Sequence, residues 1–502
     1  MSVDLSTTAR TPPFSASADR LQSIAPWLAL GGLLVLAVLQ RLLVPANIDV
    51  AWLLTAGEKV LGGHALYGEV LETNPPMAVG TYLPAILLSR LLGPAPETVT
   101  DALVFLAALT SVAMVAAILR RSTLRAQGGP WPALLFTLAV LLILPGQNFA
   151  QREHIALIVL LPALAVTARR AVGERPALWS IIVAGLGAGW TLSFKPHFAL
   201  GVAAAPLVAV FCRRSVRPLV APECLLAAAL VVLYALATLI WLPDYFTVVL
   251  PMVRDVYLQL KRPLIELLVG TPMLVMLAML ASAARLELGG GRDPLFLIPA
   301  LASGGFAVAF LVQRKGWAYQ AYPMVALALL ALVAAILTRS TADRVRALTG
   351  PVPLALGFFA TWLAFNVTFR VPELQTMVAE LGPHPRVLAL SGEPGVGHPL
   401  VRALKGTWVS RQQALLVHDY VGYLRPRATS PERAALLDGY AARERANMIE
   451  DFRRTPPDVV LIDNATDKWG EWVAGDPEVK ALLAPYRLVA TIADVDILKR
   501  AD

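Results

Sequence analysis

Long apolar runs separated by short polar segments fill the first 370 residues of the chain. A transmembrane helix needs ~20 mostly apolar residues to cross ~30 Å of hydrocarbon, and about eleven runs approach or reach that length. The runs lie near residues 24–44, 98–119, 131–146, 154–168, 178–194, 197–212, 221–242, 264–284, 294–312, 319–338 and 351–369. The pattern predicts a polytopic α-helical membrane protein with about 11 transmembrane helices.

One further apolar segment, Met77–Gly93, decides the orientation of every helix after it. It contains Gly80, Pro84 and Arg90. If this segment lies in the interface and does not cross the membrane, five arginine clusters fall on the same side as the amino-terminal tail. The positive-inside rule makes that side cytoplasmic. The clusters are Arg120/Arg121/Arg125, Arg169/Arg170/Arg175, Arg213/Arg214/Arg217, Arg285/Arg292 and Arg339/Arg344/Arg346. As a transmembrane helix it would put all five outside, so we predict an interfacial helix.

Composition agrees with a membrane protein and excludes several other classes. Of 502 residues, 57% are hydrophobic and 16% are charged, which is far from a soluble globular composition. The net charge of +8 comes from arginines that lie between apolar runs, so no nucleic-acid partner is predicted. The Ser/Thr/Pro-rich residues 1–22 are predicted to be a disordered cytoplasmic tail, followed by a membrane domain over residues 23–370.

The composition changes to that of a soluble domain from about Arg370. Short β-branched runs at 387–391, 458–463 and 488–492 predict strands, and a charged helical pattern covers 431–454. We predict a C-terminal soluble α/β domain over residues 371–502, outside the cytoplasm. The glycines between Gly392 and Gly397 resemble a phosphate-binding loop, but Pro394 removes a backbone donor, so the segment is assigned to a turn.

The first outer loop, residues 46–96, carries the carboxylates Asp49 and Glu72 directly after the first apolar run. A polar loop of this length is typical of a working surface. Residues 49–61 show the apolar spacing of an interfacial helix. Asp49 can therefore act in a site or simply cap that helix.

Further ionisable residues fall on the same predicted face of the membrane. Such residues at membrane depth are candidates for function, although Lys195 can be a snorkelling anchor, His197 a packing residue and Trp317 part of an aromatic belt. Cations at headgroup level suit a lipid-linked phosphate, and a carboxylate suits deprotonation of a hydroxyl acceptor. The clusters are Arg152, Glu153 and His154; Lys195 and His197; and Arg314, Lys315, Trp317, Tyr319 and Tyr322.

The first outer loop resembles that of GT-C-fold glycosyltransferases. The pattern Asp49-x-x-Trp52, then Leu66-Tyr67-Gly68, then Glu72-x-Asn74-Pro75-Pro76 is most similar to the bacterial branch related to protein O-mannosyltransferases and lipid A aminoarabinose transferases. The resemblance implies an inverting transfer of a sugar from a polyprenyl-phosphate donor. It also implies the bacterial inner membrane, with the active site and the C-terminal domain facing the periplasm.

Matched residue by residue, the resemblance makes Asp49 the catalytic base and Glu72 the second acidic position. Relatives often carry Lys or His where this chain has Asn74, so Lys195, Arg152, Arg314 or Lys315 would bind the donor phosphate. The remaining positions imply substrate contacts by Trp52, Asn74, Glu153, His154, His197, Trp317, Tyr319 and Tyr322. No cofactor is required; Asp49, Glu72 and Glu153 allow a divalent metal, but no ligand spacing demands one.

Three other functions stay open at this stage. A transporter or flippase for lipid-linked saccharides would be expected to show internal repeats, and none is seen. A polymerase or ligase would move a whole glycan from its carrier lipid, and a non-catalytic assembly protein would tolerate changes at Asp49 and Lys195. The sugar is not defined by the sequence, nor is the choice among lipid, glycan and protein as acceptor.

Overall fold

The computed structural model describes residues 14–124, 129–288, 293–338, 349–367 and 371–501, with side chains from residue 24 onward. Several predictions therefore lie outside the described residues, namely those for residues 1–13 of the tail and for Arg125, Arg292, Arg339, Arg344 and Arg346.

Helices make up nearly all of the described membrane domain. They are α1 (Phe14–Leu43), α2 (Ile48–Leu61), α3 (Met77–Gly80), α4 (Leu83–Leu92), α5 (Pro96–Leu119), α6 (Trp131–Leu142), α7 (Arg152–Ala171), α8 (Leu178–Phe194), α9 (Ala199–Arg213), α10 (Pro222–Trp241), α11 (Leu250–Asp255), α12 (Leu264–Leu268), α13 (Thr271–Glu287), α14 (Pro294–Gln313), α15 (Ala318–Leu337) and α16 (Pro351–Phe365).

Seven helices of the described residues are long and apolar enough to cross a membrane, so the chain is a multi-pass membrane protein. They are Ile24–Leu43, Pro96–Leu119, Arg152–Ala171, Pro196–Arg213, Pro222–Trp241, Pro294–Gln313 and Ala318–Leu337. Three other predicted runs form shorter helices, α6, α8 and α16. The run 264–284 is broken into α12 and α13 because Pro272, which cannot continue a preceding helix, lies in the first turn of α13.

The predicted tail is shorter than expected, because α1 already begins at Phe14. Residues 14–22 are therefore helical and not disordered. Once the apolar part of α1 has formed, the helix can be extended without a new nucleation cost, although Pro26 inside α1 removes one helix hydrogen bond. The Ala and Ser residues of this stretch are compatible with that extension.

The segment 77–93 is not among the seven described helices long enough to cross a membrane, and like α6, α8 and α16 it is a shorter apolar helix. It forms α3 and the ten-residue α4, which is about 15 Å long. Gly93 ends α4 with a positive φ of 93°. Leu87, Leu91 and Leu92 are exposed on α4, and the interfacial position of this segment stays a prediction.

The two ends of the bundle carry different residues. At one end, the arginine end, Arg169 pairs with Glu174 at 2.7 Å and Arg170 with Glu223 at 2.7 Å. At the other, the Asp49 end, Asn47 and Asp49 of the first outer loop contact residues 147–151. Lys195 binds Glu153 at the start of α7, and Arg314 and Lys315 bind the loop 257–262. The sequence clusters predicted to share one face of the membrane are therefore gathered at one end.

Helices α9 and α14 pack at backbone contact through Gly305. A methyl group on Gly305 would lie 2.2 Å from the Leu200 carbonyl oxygen, whereas one on Gly304 would meet nothing within 4 Å. We expect Gly305→Ala to cost about 1–3 kcal/mol of stability and to lower the melting temperature followed by tryptophan fluorescence in detergent. Gly304→Ala is the matched control, and equal melting temperatures for the two variants would contradict this contact.

The C-terminal domain is built on one five-stranded sheet with the order β2-β1-β3-β5-β4. The strands are β1 (Arg386–Leu390), β2 (Thr407–Trp408), β3 (Val459–Asp463), β4 (Tyr486–Ile492) and β5 (Val495–Arg500). The helices are α17 (Pro372–Glu380), α18 (Leu400–Ala403), α19 (Leu416–Leu424), α20 (Pro431–Arg454), α21 (Trp469–Gly475) and α22 (Pro477–Leu483). Strand β1 is parallel to β2 and β3, and β5 is antiparallel to β3 and β4. The predicted strands correspond to β1, β3 and β4, and the predicted helix to α20.

This domain sits directly on the first outer loop. The Leu71 amide donates to the Arg411 carbonyl at 2.7 Å, and Lys59 Nζ donates to the Ser410 carbonyl at 2.6 Å. The buried Arg402 guanidinium binds Glu58 at 2.7 Å and also binds Glu97. Backbone and charged contacts together fix the domain above the Asp49 end of the bundle.

Candidate active site

Asp49 lies in the first turn of α2 but does not cap it. The N-cap is Asn47, whose Oδ1 accepts the Asp49 amide at 2.9 Å. The Asp49 carboxylate instead accepts hydrogen bonds from Gln151 at 3.0 Å, Arg152 at 3.2 Å and Gln413 at 3.3 Å. Its side chain keeps 23% of its surface exposed. The sequence left Asp49 two roles, in a site or as the helix cap, and Asn47 provides the cap.

Arg152 stands opposite Asp49 at the start of α7. The residue is 2% exposed, and only its Nη2 contacts Asp49. Its Nε and Nη1 groups have no hydrogen-bond partner among the residues that the structure describes. Buried donors are rarely left unpaired, and a guanidinium suits a phosphate in two-pronged geometry. These two groups are thus suited to an anionic ligand.

Lys195 and Glu153 form a buried ion pair next to Arg152. Lys195 Nζ lies 2.6 Å from Glu153 Oε1, with side-chain exposures of 9% and 1%. The same ammonium is 5.4 Å from the centre of the Tyr319 ring. Glu153 Oε2 and His197 Nε2 have no partner within the described ranges. One oxygen of Glu153 holds the lysine while the remaining ammonium protons can bind a further acceptor.

Glu72 organises the first outer loop and does not touch Asp49. One of its oxygens accepts from the Trp52 indole, and the other accepts from the backbone and side chain of Asn74. Tyr67 donates to the Asn74 carbonyl at 2.8 Å. Among predicted site residues, Trp52, Glu72 and Asn74 thus form one buried network that fixes the chain before the Pro75-Pro76 corner.

Arg314 and Lys315 are separated from this cluster. Arg314 Nε donates to the Arg262 carbonyl at 3.0 Å, and Lys315 Nζ donates to the carbonyls of Leu260 and Tyr257. In the described parts of the chain, neither contacts Asp49, Arg152 or Lys195. Burial and the nearby Lys261 lower the pKa of Lys315 to about 8. Of the four predicted phosphate-binding cations, the structure brings only Arg152 and Lys195 close to Asp49.

Four further predicted residues fall into two groups. Tyr319 and Trp317 lie on the side of Lys195, whereas His154 and Tyr322 lie in the core. The rings of His154 and Tyr322 are fully buried, and the backbone of Ala150, Leu141 and Val140 engages all of their polar atoms. Neither side chain has a free polar atom for a substrate. Tyr319 lies beside Lys195, and the Trp317 ring is 5.6 Å from that of Tyr319.

Two residues that were not predicted complete the surroundings of Asp49. Gln413 reaches it from the C-terminal domain. Tyr257 lies near both carboxylates of the first outer loop. Burial, with smaller effects from Tyr420, Asp49 and Glu72, raises the pKa of the Tyr257 phenol well above its ordinary value. Candidates in the sequence were chosen by their predicted position at the membrane or by the resemblance of the first outer loop, and neither signal applies to a glutamine of the soluble domain.

The three acidic residues considered for a divalent metal do not form a ligand set. Asp49 is bonded to Arg152, Glu153 to Lys195, and Glu72 to Trp52 and Asn74. No group of three or more His, Cys, Asp or Glu within the described residues is placed to hold a metal ion. We therefore derive no step through a metal.

A cleft, named the Trp52 cleft, lies where the domain meets the first outer loop, and the buried Glu444 is among its lining residues. Burial raises the pKa of Glu444 to about 8, although the amides of Val417 and His418 donate to it. The folded chain therefore holds a proton that the unfolded chain loses above about pH 4.5. Stability should fall as the pH rises from 5 towards 8, by at most ~1.4 kcal/mol per pH unit.

Melting temperatures of wild type and Glu444→Gln between pH 5 and pH 8 measure this effect. The variant lacks the titrating group, so its melting temperature should fall less steeply with pH. It should be less stable at pH 5, because its amide group faces a backbone N–H donor. Parallel curves for the two proteins would show that Glu444 is ionised in the folded state.

Comparison with solved structures identifies the fold. The fold is that of GT-C membrane enzymes, as predicted, and two structures of ArnT from Cupriavidus metallidurans show the likeness. The structure bound to undecaprenyl phosphate matches with a TM-score of 0.57 and 12% identity, covering 94% of this chain and 97% of that one. The apo structure gives 0.54 and 13%, covering 94% and 98%. No protein-family model and no curated protein matches the sequence.

Proposed function

We propose that this protein is an inverting glycosyltransferase that moves a sugar from a polyprenyl-phosphate donor to a hydroxyl acceptor. The observation that carries the proposal is the buried Arg152, which holds Asp49 with one donor and leaves two donors unpaired beside Lys195. A fold shared with a protein crystallised with undecaprenyl phosphate supports a lipid phosphate as the anion.

In this proposal Arg152 and Lys195 bind the phosphate of the donor, and Asp49 faces the incoming acceptor. Asp49 takes the hydroxyl proton while the acceptor oxygen forms a bond to the anomeric carbon. The bond from that carbon to the phosphate oxygen breaks, and its electron pair stays on the leaving polyprenyl phosphate. The two cations stabilise this developing charge. A single displacement inverts the configuration at the anomeric carbon.

Support for the roles of the remaining residues comes from their contacts. Glu153 pairs with Lys195 and holds it in place, and Glu72 fixes the loop that carries Asp49. His197 and Tyr319 lie within reach of a ligand held by Lys195. For Arg314 and Lys315 we propose a role in holding the loop 257–262 and not in phosphate binding.

The proposed location is the bacterial inner membrane with the Asp49 end in the periplasm. The arginine end then faces the cytoplasm, as the positive-inside rule requires. The donor would reach Arg152 laterally from the outer leaflet. The acceptor would be a lipid, a glycan or a protein with a hydroxyl group, and a flippase or a whole-glycan ligase would need the same anion site.

Binding of undecaprenyl phosphate to the purified full chain in detergent tests the anion site. We expect it to raise the melting temperature, because a ligand that binds only the folded state stabilises it. Arg152→Gln should weaken this binding at least ~10-fold, since a buried charged hydrogen bond contributes ~1.5–3 kcal/mol. The control Arg254→Gln changes an exposed arginine paired with its neighbour Asp255 and should have no effect.

Undecaprenol, which lacks the phosphate, is the matched ligand control. If undecaprenol stabilises the protein as much as undecaprenyl phosphate does, the proposed anion site is wrong. If undecaprenyl phosphate binds but no glycosyl lipid is turned over with any class of acceptor, the proposed glycosyl transfer is wrong. Transport of a lipid-linked saccharide is then the remaining function.

A further inference from the structure

We propose that the C-terminal domain completes the active site with a subsite for a sugar ring. The subsite is the Trp52 cleft, between the first outer loop and the domain. It is lined by Trp52, Glu72, Thr73, Gln412, Gln413 and Asn447, with Val249 and Met252 on one wall. This inference rests on the proposed function and assigns part of the substrate to Gln412, Gln413 and Asn447, which the resemblance did not supply.

The cleft adjoins the proposed base through Gln413. Gln413 Nε2 lies 3.3 Å from Asp49 Oδ1, which is a long hydrogen bond. An acceptor hydroxyl that gives its proton to Asp49 can replace this weak contact without breaking the stronger ones to Gln151 and Arg152. Gln413 is therefore placed as a positioning residue between the carboxylate and whatever occupies the cleft.

The walls of the cleft are fixed before any ligand binds. The segment 411–413 is held by the Leu71 amide on the Arg411 carbonyl at 2.7 Å and by the Trp408 indole on the Gln412 carbonyl at 2.8 Å. Arg411 is anchored on Asp451, with its amide donating at 2.7 Å and its Nε at 3.0 Å. A rigid frame of this kind lowers the entropic cost of binding.

An unsatisfied buried amide inside this frame points to a polar ligand. Gln412 is 7% exposed, and its Nε2 has no hydrogen-bond partner in the described part of the chain. Buried donors of this kind are rarely left unpaired in folded proteins. The neighbouring Asn447 uses its Oδ1 to accept from Arg411 at 3.3 Å, so its amide nitrogen can donate. Two amide donors and one apolar wall are therefore available to a ligand.

This chemistry fits a polyhydroxylated ring better than an anion. Amides match hydroxyl groups, which donate and accept, and Val249 and Met252 can cover the C–H face of a pyranose. Glu72 and the protonated Glu444 lie in the same cleft, and its arginine, Arg443, is exposed at the rim. A second phosphate would meet the Glu72 carboxylate there. The ring can belong to the donor or to a glycan acceptor, and experiment distinguishes the two.

The test compares ligands that differ only in the sugar, on the full chain in detergent. The probes are undecaprenyl phosphate and the same lipid phosphate carrying a hexose, a pentose or an aminosugar. We expect at least one glycosyl lipid to bind wild type ~10-fold more tightly than the bare phosphate. Gln412→Ala and Asn447→Ala should each remove most of that advantage and leave the affinity for the bare phosphate unchanged. Gln375→Ala, an amide elsewhere in the domain, should keep it.

A second arm identifies the source of the ring. Methyl glycosides of the same sugars are added to protein saturated with bare undecaprenyl phosphate, and stabilisation that depends on Gln412 and Asn447 assigns the ring to the acceptor. The subsite is overturned if the bare phosphate binds but no probe in either arm gains affinity through these two residues. Absence of binding by the bare phosphate would instead overturn the proposed function, and the subsite with it.

Discussion

Replacement of Asp49 by Asn is expected to lower the rate of sugar transfer about 10³-fold, within the range usual for loss of a general base. The amide has the same shape but cannot take the acceptor proton. Binding of undecaprenyl phosphate should be retained, because the donors of Arg152 that are left unpaired do not contact Asp49. Release of polyprenyl phosphate from a glycosyl lipid that the wild-type protein binds measures the rate.

The matched control for this variant is Asp101→Asn. Asp101 also pairs with an arginine, Arg41 at 3.4 Å, and also lies at the Asp49 end of the bundle. It has no part in the proposed chemistry, so its variant should turn over like wild type. Turnover near the wild-type rate in Asp49→Asn would remove Asp49 from the role of base.

Replacement of Lys195 by Met is expected to destabilise the protein by about 3–5 kcal/mol, because it leaves the buried Glu153 carboxylate without its counter-charge. Glu153 is almost fully buried, and its second oxygen has no partner among the described residues. The melting temperature and the yield of monodisperse protein in detergent report the effect. If Lys195→Met were as stable as wild type, Glu153 would have to accept a proton when Lys195 is removed.

The double variant Lys195→Met/Glu153→Gln separates stability from binding. It removes both charges, so most of the lost stability should return. Affinity for undecaprenyl phosphate should still be at least ~10-fold weaker than in wild type, since the ammonium is missing. Full recovery of both properties would make the ion pair a structural feature without a role at the phosphate.

The lengths of the apolar runs were sufficient to predict a polytopic α-helical membrane protein, because a bilayer allows a chain few kinds of spanning structure. They were less reliable for the lengths of individual helices, where Pro272 divides a predicted helix in two and where α1 extends back to Phe14. Strand β2 was not predicted, because a strand of two residues, Thr407 and Trp408, is too short to show an alternation of apolar and polar positions. Strand β5 follows β4 after only two residues, and the predicted run ended before it.

For the site, the sequence predicted which residues lie at one end of the bundle but not where their side chains point. Arg152 and Lys195 turn towards Asp49, whereas Arg314 and Lys315 bind carbonyl groups of a neighbouring loop. His154 and Tyr322 turn into the core. These directions depend on helix rotation and on contacts between distant loops, so depth in the membrane alone could not predict them. The contribution of Gln413 required the position of a whole second domain.

The backbone hydrogen bond between Leu71 and Arg411 has a consequence for engineering. Because a strand-like contact needs matching geometry on both sides, the two halves of this protein are not interchangeable modules. A chimera that takes only the carboxyl-terminal half from a distant relative would misplace the amides around Gln412. Transplanting that half together with residues 46–76 would keep the junction intact.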